Sequence, residues 1–329
     1  MKTAWPDLRA LADELARVTG PGSVTVGLSR AGRTSVATGG PGDATGQTRF
    51  RIASLTKVFT CAALVRMLRA RGIALGTPAV ELLPELAPDW RADTGLTVEQ
   101  ILGQVSGLHE TVDSATAAAL GEGPDALTEA ARLVVRAGNA RAPGARWSYY
   151  NGNYFLAGAL LATLGGVPYE QVLRDELLAP WRLDRTGFAP PADALTGRDG
   201  TEEVAPLPYP RTRRPSGGLW SCVPDLLVLG QELLADRALL AEVRKPRTLP
   251  DDPMSYGLGW AVGPSGQLYL NGRLPGFRAA MLLVPDAEHV SVILSGQQRA
   301  LPAMAGTLSE MQRGLTGDDL RAAIDGFAA

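Results

Sequence analysis

The stretch FRIASLTKVFT, residues 50–60, decides how this chain is read. It holds Ser54 and, three positions on, Lys57, set among Ile52, Ala53, Leu55, Val58 and Phe59. Residues 54–71 carry a helical pattern, and Gly72 marks its stop. On a helix, a spacing of three puts two side chains on one face, about one turn apart. The lysine is unusual in this chain. There are 32 basic residues, but only Lys2, Lys57 and Lys245 are lysines. Arginine cannot release its proton, whereas a desolvated lysine can. A neutral Lys57 could take the hydroxyl proton of Ser54 and turn it into a nucleophile, with the apolar neighbours supplying the desolvation. As a bare tetrapeptide, Ser-x-x-Lys also fits a surface lysine near a helix start.

Two further stretches bear on this reading. RWSYYNGNYFLAGALL, residues 146–161, puts aromatics and Asn151 ahead of an apolar helix. QLYLNGRLPGFRAAMLLVPD, residues 267–286, reads as two strands joined at Pro275-Gly276. FRIASLTKVFT resembles the F-x-I-A-S-x-T-K segment of class C β-lactamases, their esterase relatives and D-alanyl peptidases. RWSYYNGNYF is similar to the family's Tyr-x-Asn element. The register that fits makes Tyr149 the tyrosine and Asn151 the asparagine, with Tyr150 where serine is usual. The resemblance implies that Tyr149 shares proton transfer with Lys57, and that Asn151 helps hold the lysine and the substrate. The third family motif, Lys-Thr-Gly or His-x-Gly, falls on Leu270, Asn271 and Gly272. Leu270 thus replaces the cation, while Gly272 still lets the strand approach a substrate closely. By the same alignment the backbone N–H groups of Ser54 and Arg273 form the oxyanion hole. The Arg273 side chain is read either as part of the site or as a solvated turn charge.

QVSGLHE (104–110), LLAPWRLDRTGF (177–188), PSGGLWSCVPDLLVLG (215–230) and YGLGW (256–260) also resemble family segments, in family order. The resemblance covers about residues 25–296. It implies a serine esterase or acyltransferase of the β-lactamase superfamily, acting on an ester or thioester. The alternative is a β-lactamase or D-amino-acid-specific peptidase, disfavoured because Leu270 cannot hold a substrate carboxylate. Such a charge-assisted contact is worth roughly 1.5–3 kcal/mol. A non-catalytic binding module would be expected to lose Ser54, Lys57 or Tyr149, and all three are present. Trp147, Tyr150, Trp220 and Trp260 are candidate acyl-pocket walls, with aromatic core the competing role. Arg211, Arg213 and Arg214 lie on a loop that, by the same resemblance, rims the cleft, where they either hold an anionic group or are solvated.

The rest of the chain frames this site. SVTVGLSR and RTSVATGG, around Ala31-Gly32, read as a hairpin. Leu8, Leu11, Leu15 and Val18 give an amphipathic first helix. Helices are expected at 126–137, 154–164, 168–179 and 224–235, a loop at 205–218, and a closing helix near 301–313. YGLGWAV, QLYLNG, AAMLLV and HVSVILSG read as an antiparallel meander. The fold class is α/β (α+β): an antiparallel sheet flanked by helices, from residues 1–75 and 205–329, with a mostly helical inserted lobe, 76–204. A cleft between such lobes suits a small-molecule site.

A net charge of −2 suggests neither nucleic acid nor an anionic membrane as partner. No run reaches the roughly 18 apolar residues of a membrane span. The N-terminus lacks the apolar core of a signal peptide, so a cytoplasmic protein is expected. Cys61 and Cys222 do not make a disulfide framework. His109 and His289 cannot build a zinc site unaided. No cofactor or metal is expected, and the partners are a small-molecule acyl donor and water or a nucleophilic acceptor.

Overall fold

The computed structural model describes residues 5–192, 194–204 and 209–327. Asp7 starts the first helix, α1 (Leu8–Thr19), by accepting the N–H groups of Arg9 and Ala10, and Gly20 ends it at φ 104°. Leu8 and Leu15 are buried, whereas Val18 is half exposed and marks the edge of the stripe. The hairpin follows as β1 (Val24–Arg30) and β2 (Arg33–Gly39). Its turn has positive φ at both Ala31 (49°) and Gly32 (77°), the twist that suits a two-residue connection.

The chain then runs through α2 (Thr56–Ala70) to α3 (Ala126–Arg136) and α4 (Gly152–Gly165), which pack together. It returns through α5 (Val223–Ala235) to the short β3 (Ala261–Val262), then β4 (Leu268–Leu274), β5 (Phe277–Val284) and β6 (His289–Ser295). The sheet has six antiparallel strands in the order β2-β1-β6-β5-β4-β3. The first hairpin and the meander therefore share one sheet, as the sequence suggested. Helix α6 (Leu301–Thr316) and the short α7 (Arg321–Gly326) close the chain.

Both faces of the sheet are covered, so β1 and β6 are buried almost continuously rather than alternately. A β-carbon at Gly39 would meet the backbone of Ala12 at 2.4 Å, so α1 lies tight on β2. A β-carbon at Gly27 would meet Val223 at 2.2 Å, which brings α5 onto β1.

Several local expectations are corrected. YGLGWAV is a strand only at Ala261–Val262, because Gly259 turns the backbone to φ 76°. The described part of the 205–218 loop is wound into a 3-10 turn, Arg211–Arg213, and a helical turn, Arg214–Gly217, with Pro215 near its start. Residues 205–208 of that loop lie outside the described residues. The expected helix at 168–179 is α-helical over Tyr169–Leu173 and continues as a π turn over Arg174–Leu178. The ribbon Gly197–Asp199 with Glu202–Val204 hydrogen-bonds to the sheet side, where Arg198 N–H reaches the Gly276 and Gly296 carbonyls. Helix α7 was not anticipated. No helix among the described residues is long and apolar enough to cross a membrane.

Candidate active site

Ser54 lies on a 3-10 turn, Ala53–Leu55, that leads into α2. Ala53 has φ 48°, a left-handed conformation that costs a non-glycine residue about 1–3 kcal/mol. The turn is held between Leu219, whose carbonyl accepts from Ile52 N–H, and strand β4. A β-carbon at Gly272 would stand 2.1 Å from the Ile52 carbonyl oxygen. Only glycine lets β4 come this close to the serine turn.

Lys57 sits one turn further along α2 and is fully buried. Its Nζ donates to Ser54 Oγ (3.2 Å), Asn151 Oδ1 (2.8 Å) and the Ser216 carbonyl (2.8 Å). None of these partners is a carboxylate. The rings of Tyr149 and Tyr154 lie 4.9 and 5.4 Å from the nitrogen. Burial, and then the nearby Arg213 guanidinium, pull the lysine well below its usual value.

Tyr149 approaches Ser54 from the turn ahead of α4, and its hydroxyl donates to Ser54 Oγ at 2.8 Å. Burial raises its phenol well above the usual range, outweighing the Ser54 contact that lowers it. One oxygen thus lies between an amine pushed towards neutrality and a phenol held protonated. The Tyr149–Asn151 turn is positioned from beneath by Gln104. Its Oε1 accepts from Tyr150 N–H (3.0 Å) and Asn153 Nδ2 (2.6 Å), and its carbonyl accepts from Ser148 N–H.

Not every candidate residue faces this point. Tyr150 is buried and turns away, with its hydroxyl accepting from Val112 N–H at 3.2 Å. Trp220 and Trp260 are core: Trp220 meets Phe277 edge-on, and the Arg51 guanidinium covers its face. Trp147 is half-buried and packs near Tyr149, with ring centres 6.5 Å apart. On β4, Leu270 shares a face with Gly272 and is wholly buried. Asn271 points to the opposite face, where Nδ2 donates to the Ile324 (2.6 Å) and Phe327 (3.2 Å) carbonyls. The Arg273 guanidinium is half-buried and donates to the Asp325 carbonyl.

The three loop arginines separate. Arg211 and Arg214 pair with Glu170, at 3.0 and 2.6 Å, and Arg214 also reaches Glu122. Arg213 has no ion pair among the described residues and lies over the Tyr209 ring, 5.1 Å from its centre. His109 is exposed, His289 and both cysteines are buried, and the described residues hold no metal-binding cluster.

Sequence reasoning missed Tyr154, Tyr209, the Ser216 carbonyl and Phe327. PSGG was legible as a family-like string, but nothing in residue type announces a backbone carbonyl as a lysine partner.

A family model described as Beta-lactamase matches residues 8–309. Among curated proteins, the chain is 22% identical over 270 residues to Protein flp of Staphylococcus aureus (strain MW2), covering 75% of this chain and 53% of that one. It is 22% identical over 258 residues to PbpX of Bacillus subtilis (strain 168), covering 76% and 63%. The chain therefore spans less than two-thirds of the length of either relative. Among solved structures, a D-stereospecific amidohydrolase from Streptomyces sp. superposes with TM-score 0.73 at 23% identity, covering 95% of this chain and 100% of that one. A class C β-lactamase gives 0.73 at 19%, covering 88% and 91%. EstCE1, described as a hydrolase with promiscuous acyltransferase activity, gives 0.72 at 19%, covering 88% and 94%. These similarities establish a shared fold.

Proposed function

The chain belongs to the Beta-lactamase family of serine hydrolases, and from that membership we propose that it forms an acyl-enzyme on Ser54 from an ester or thioester and passes the acyl group to water, an alcohol or an amine. The observation that carries this reading is the placement of Ser54 Oγ between Lys57 Nζ and the Tyr149 hydroxyl. Environments that push two titratable groups apart assign their roles. Lys57, pulled down, is the base; Tyr149, held up, is the acid.

The steps follow. Neutral Lys57 takes the Ser54 proton as Oγ forms a bond to the carbonyl carbon. The carbonyl π pair moves onto oxygen, facing the backbone N–H groups of Ser54 and Arg273. Collapse breaks the bond to the leaving oxygen or sulfur, which takes the Tyr149 proton. The Lys57 ammonium then returns a proton to Tyr149. Water or the acceptor repeats the sequence in reverse. Asn151 and the Ser216 carbonyl hold the lysine through both half-reactions.

Leu270 supports an ester over a β-lactam, because an apolar, fully buried side chain stands where a carboxylate-binding cation would be. A specific observation favours the alternative, a β-lactamase or D-amino-acid-specific peptidase: Arg213 is a cation near the site without an ion pair among the described residues. Comparing kcat/KM for p-nitrophenyl acetate, benzylpenicillin and a D-alanyl-D-alanine peptide separates them. The ester reading expects Ser54-dependent ester hydrolysis far above the other two. Efficient turnover of either of the others, lost in Arg213→Ala, would reverse the order.

A further inference from the structure

The chain's last described segment reaches around strand β4 into the site region. Strand β3 pairs only with Leu268 and Tyr269, so β4 from Leu270 onward has no β3 partner on that edge. Here Asn271 holds the carbonyls of Ile324 and Phe327, and Arg273 holds that of Asp325. Two side chains from the third-motif strand thus grip three carbonyls of the α7 end.

This grip delivers the Phe327 ring into an aromatic box. It is fully buried, stacked on Tyr256 at 6.0 Å with planes 9° apart, and edge-on to Tyr149 at 5.5 Å. Trp147 closes a third side at 6.5 Å. Tyr149 is the residue whose hydroxyl touches Ser54 Oγ, so the box lies one ring away from the nucleophile. The Trp147 indole N–H is buried and has no acceptor among the described residues.

We propose that the box formed by Trp147, Tyr149 and Tyr256 is a subsite for an aryl or aralkyl group of the acyl donor, and that Phe327 is its built-in occupant and the residue that sets how large an acyl group the site admits. This rests on the reading of Ser54 as nucleophile. A benzyl-sized group attached to the acyl carbon must share the box with Phe327 or displace it, whereas a methyl group does not reach it. Removing the ring opens the subsite to aralkyl donors selectively.

Two sulfonyl fluorides test this. Phenylmethanesulfonyl fluoride and methanesulfonyl fluoride react with the same oxygen. Each forms an O–S bond to Ser54 Oγ, expels fluoride and leaves the serine proton on Lys57. They differ only in the phenyl ring. Labelling rates are read by intact mass for the native chain, Phe327→Ala, Phe327→Tyr and a chain ending at Gly326. The expected result is a rise of about tenfold or more in the phenylmethyl-to-methyl rate ratio for Phe327→Ala and the shortened chain, with Phe327→Tyr keeping the native ratio. Retained methanesulfonyl labelling shows that the variants are folded. An unchanged ratio, or equal loss of both labels, would overturn the inference and leave Phe327 as plain support for Tyr149. If Ser54→Ala labels as fast as the native chain, the serine reading itself falls, which is a separate result.

Discussion

A β-carbon on Gly272 would stand 2.1 Å from the carbonyl oxygen of Ile52, two residues ahead of Ser54. The contact is backbone against backbone, so neither side can rotate away. It couples the approach of β4 to the position of the serine turn.

Gly272→Ala is therefore expected to cost about 1–3 kcal/mol of stability, as overpacking does, and to reduce Ser54 acylation by about 100-fold through displacement of the turn. Chemical denaturation and acylation kinetics on one sample check both. Native acylation in a folded variant would mean that the close approach does not set the nucleophile.

Lys57→Arg retains positive charge but cannot accept a proton. Acylation should fall at least about 100-fold, the scale of general-base catalysis. The pH profile carries the sign. The folded lysine lies well below 10.5, and its neutral form is the active one. Activity of the native chain should therefore rise with pH through an ascending limb well below that value. A limb that persists in Lys57→Arg would assign the titration to another group.

These two predictions show what was legible in the sequence. Ser54 and Lys57 stood out by their spacing and by the scarcity of lysine, whereas Tyr149 and Gly272 were placed only through the resemblance to family motifs. The sheet was legible because turns such as Ala31-Gly32 and Pro275-Gly276 declare themselves. Tyr150 and Trp220 were offered as pocket walls on aromatic character alone, and the structure turns one towards Val112 and buries the other against Phe277. Burial direction is decided by tertiary packing, which residue type does not encode. The side chains of Asn271 and Arg273 were unreadable for a related reason. Their partners are backbone carbonyls more than 50 positions away in the chain.

Leu270 is buried on the same face as Gly272, in the core rather than on an open surface. Leu270→Lys would place a second ammonium inside the protein. We expect it to lower stability by several kcal/mol, because a buried unpaired charge is costly, and to raise the ratio of β-lactam to ester turnover only modestly. A thermal melt and paired kcat/KM values test this. A stable variant with efficient β-lactamase activity would show that the pocket already suits a carboxylate.

His289 gives the fold an acid-side weakness. Burial, then the Arg30 charge, push its imidazole from 6.5 down to about 3. The unfolded chain binds the proton first as pH falls, so this contribution is complete above about 6.5 and is lost down to about 3. The slope is about 1.4 kcal/mol per pH unit. His289→Gln does not titrate and still offers Ser291 a hydrogen-bond partner. Urea unfolding at several pH values between 7 and 4 should show a flatter decline for the variant. Parallel declines would remove His289 as the cause.

The account stands on Ser54 as the acylated residue, and intact mass after treatment with a fluorophosphonate tests that most directly. The native chain should gain one label, which maps to Ser54, and Ser54→Ala should gain none. Labelling that survives in Ser54→Ala would place the nucleophile elsewhere and contradict the account.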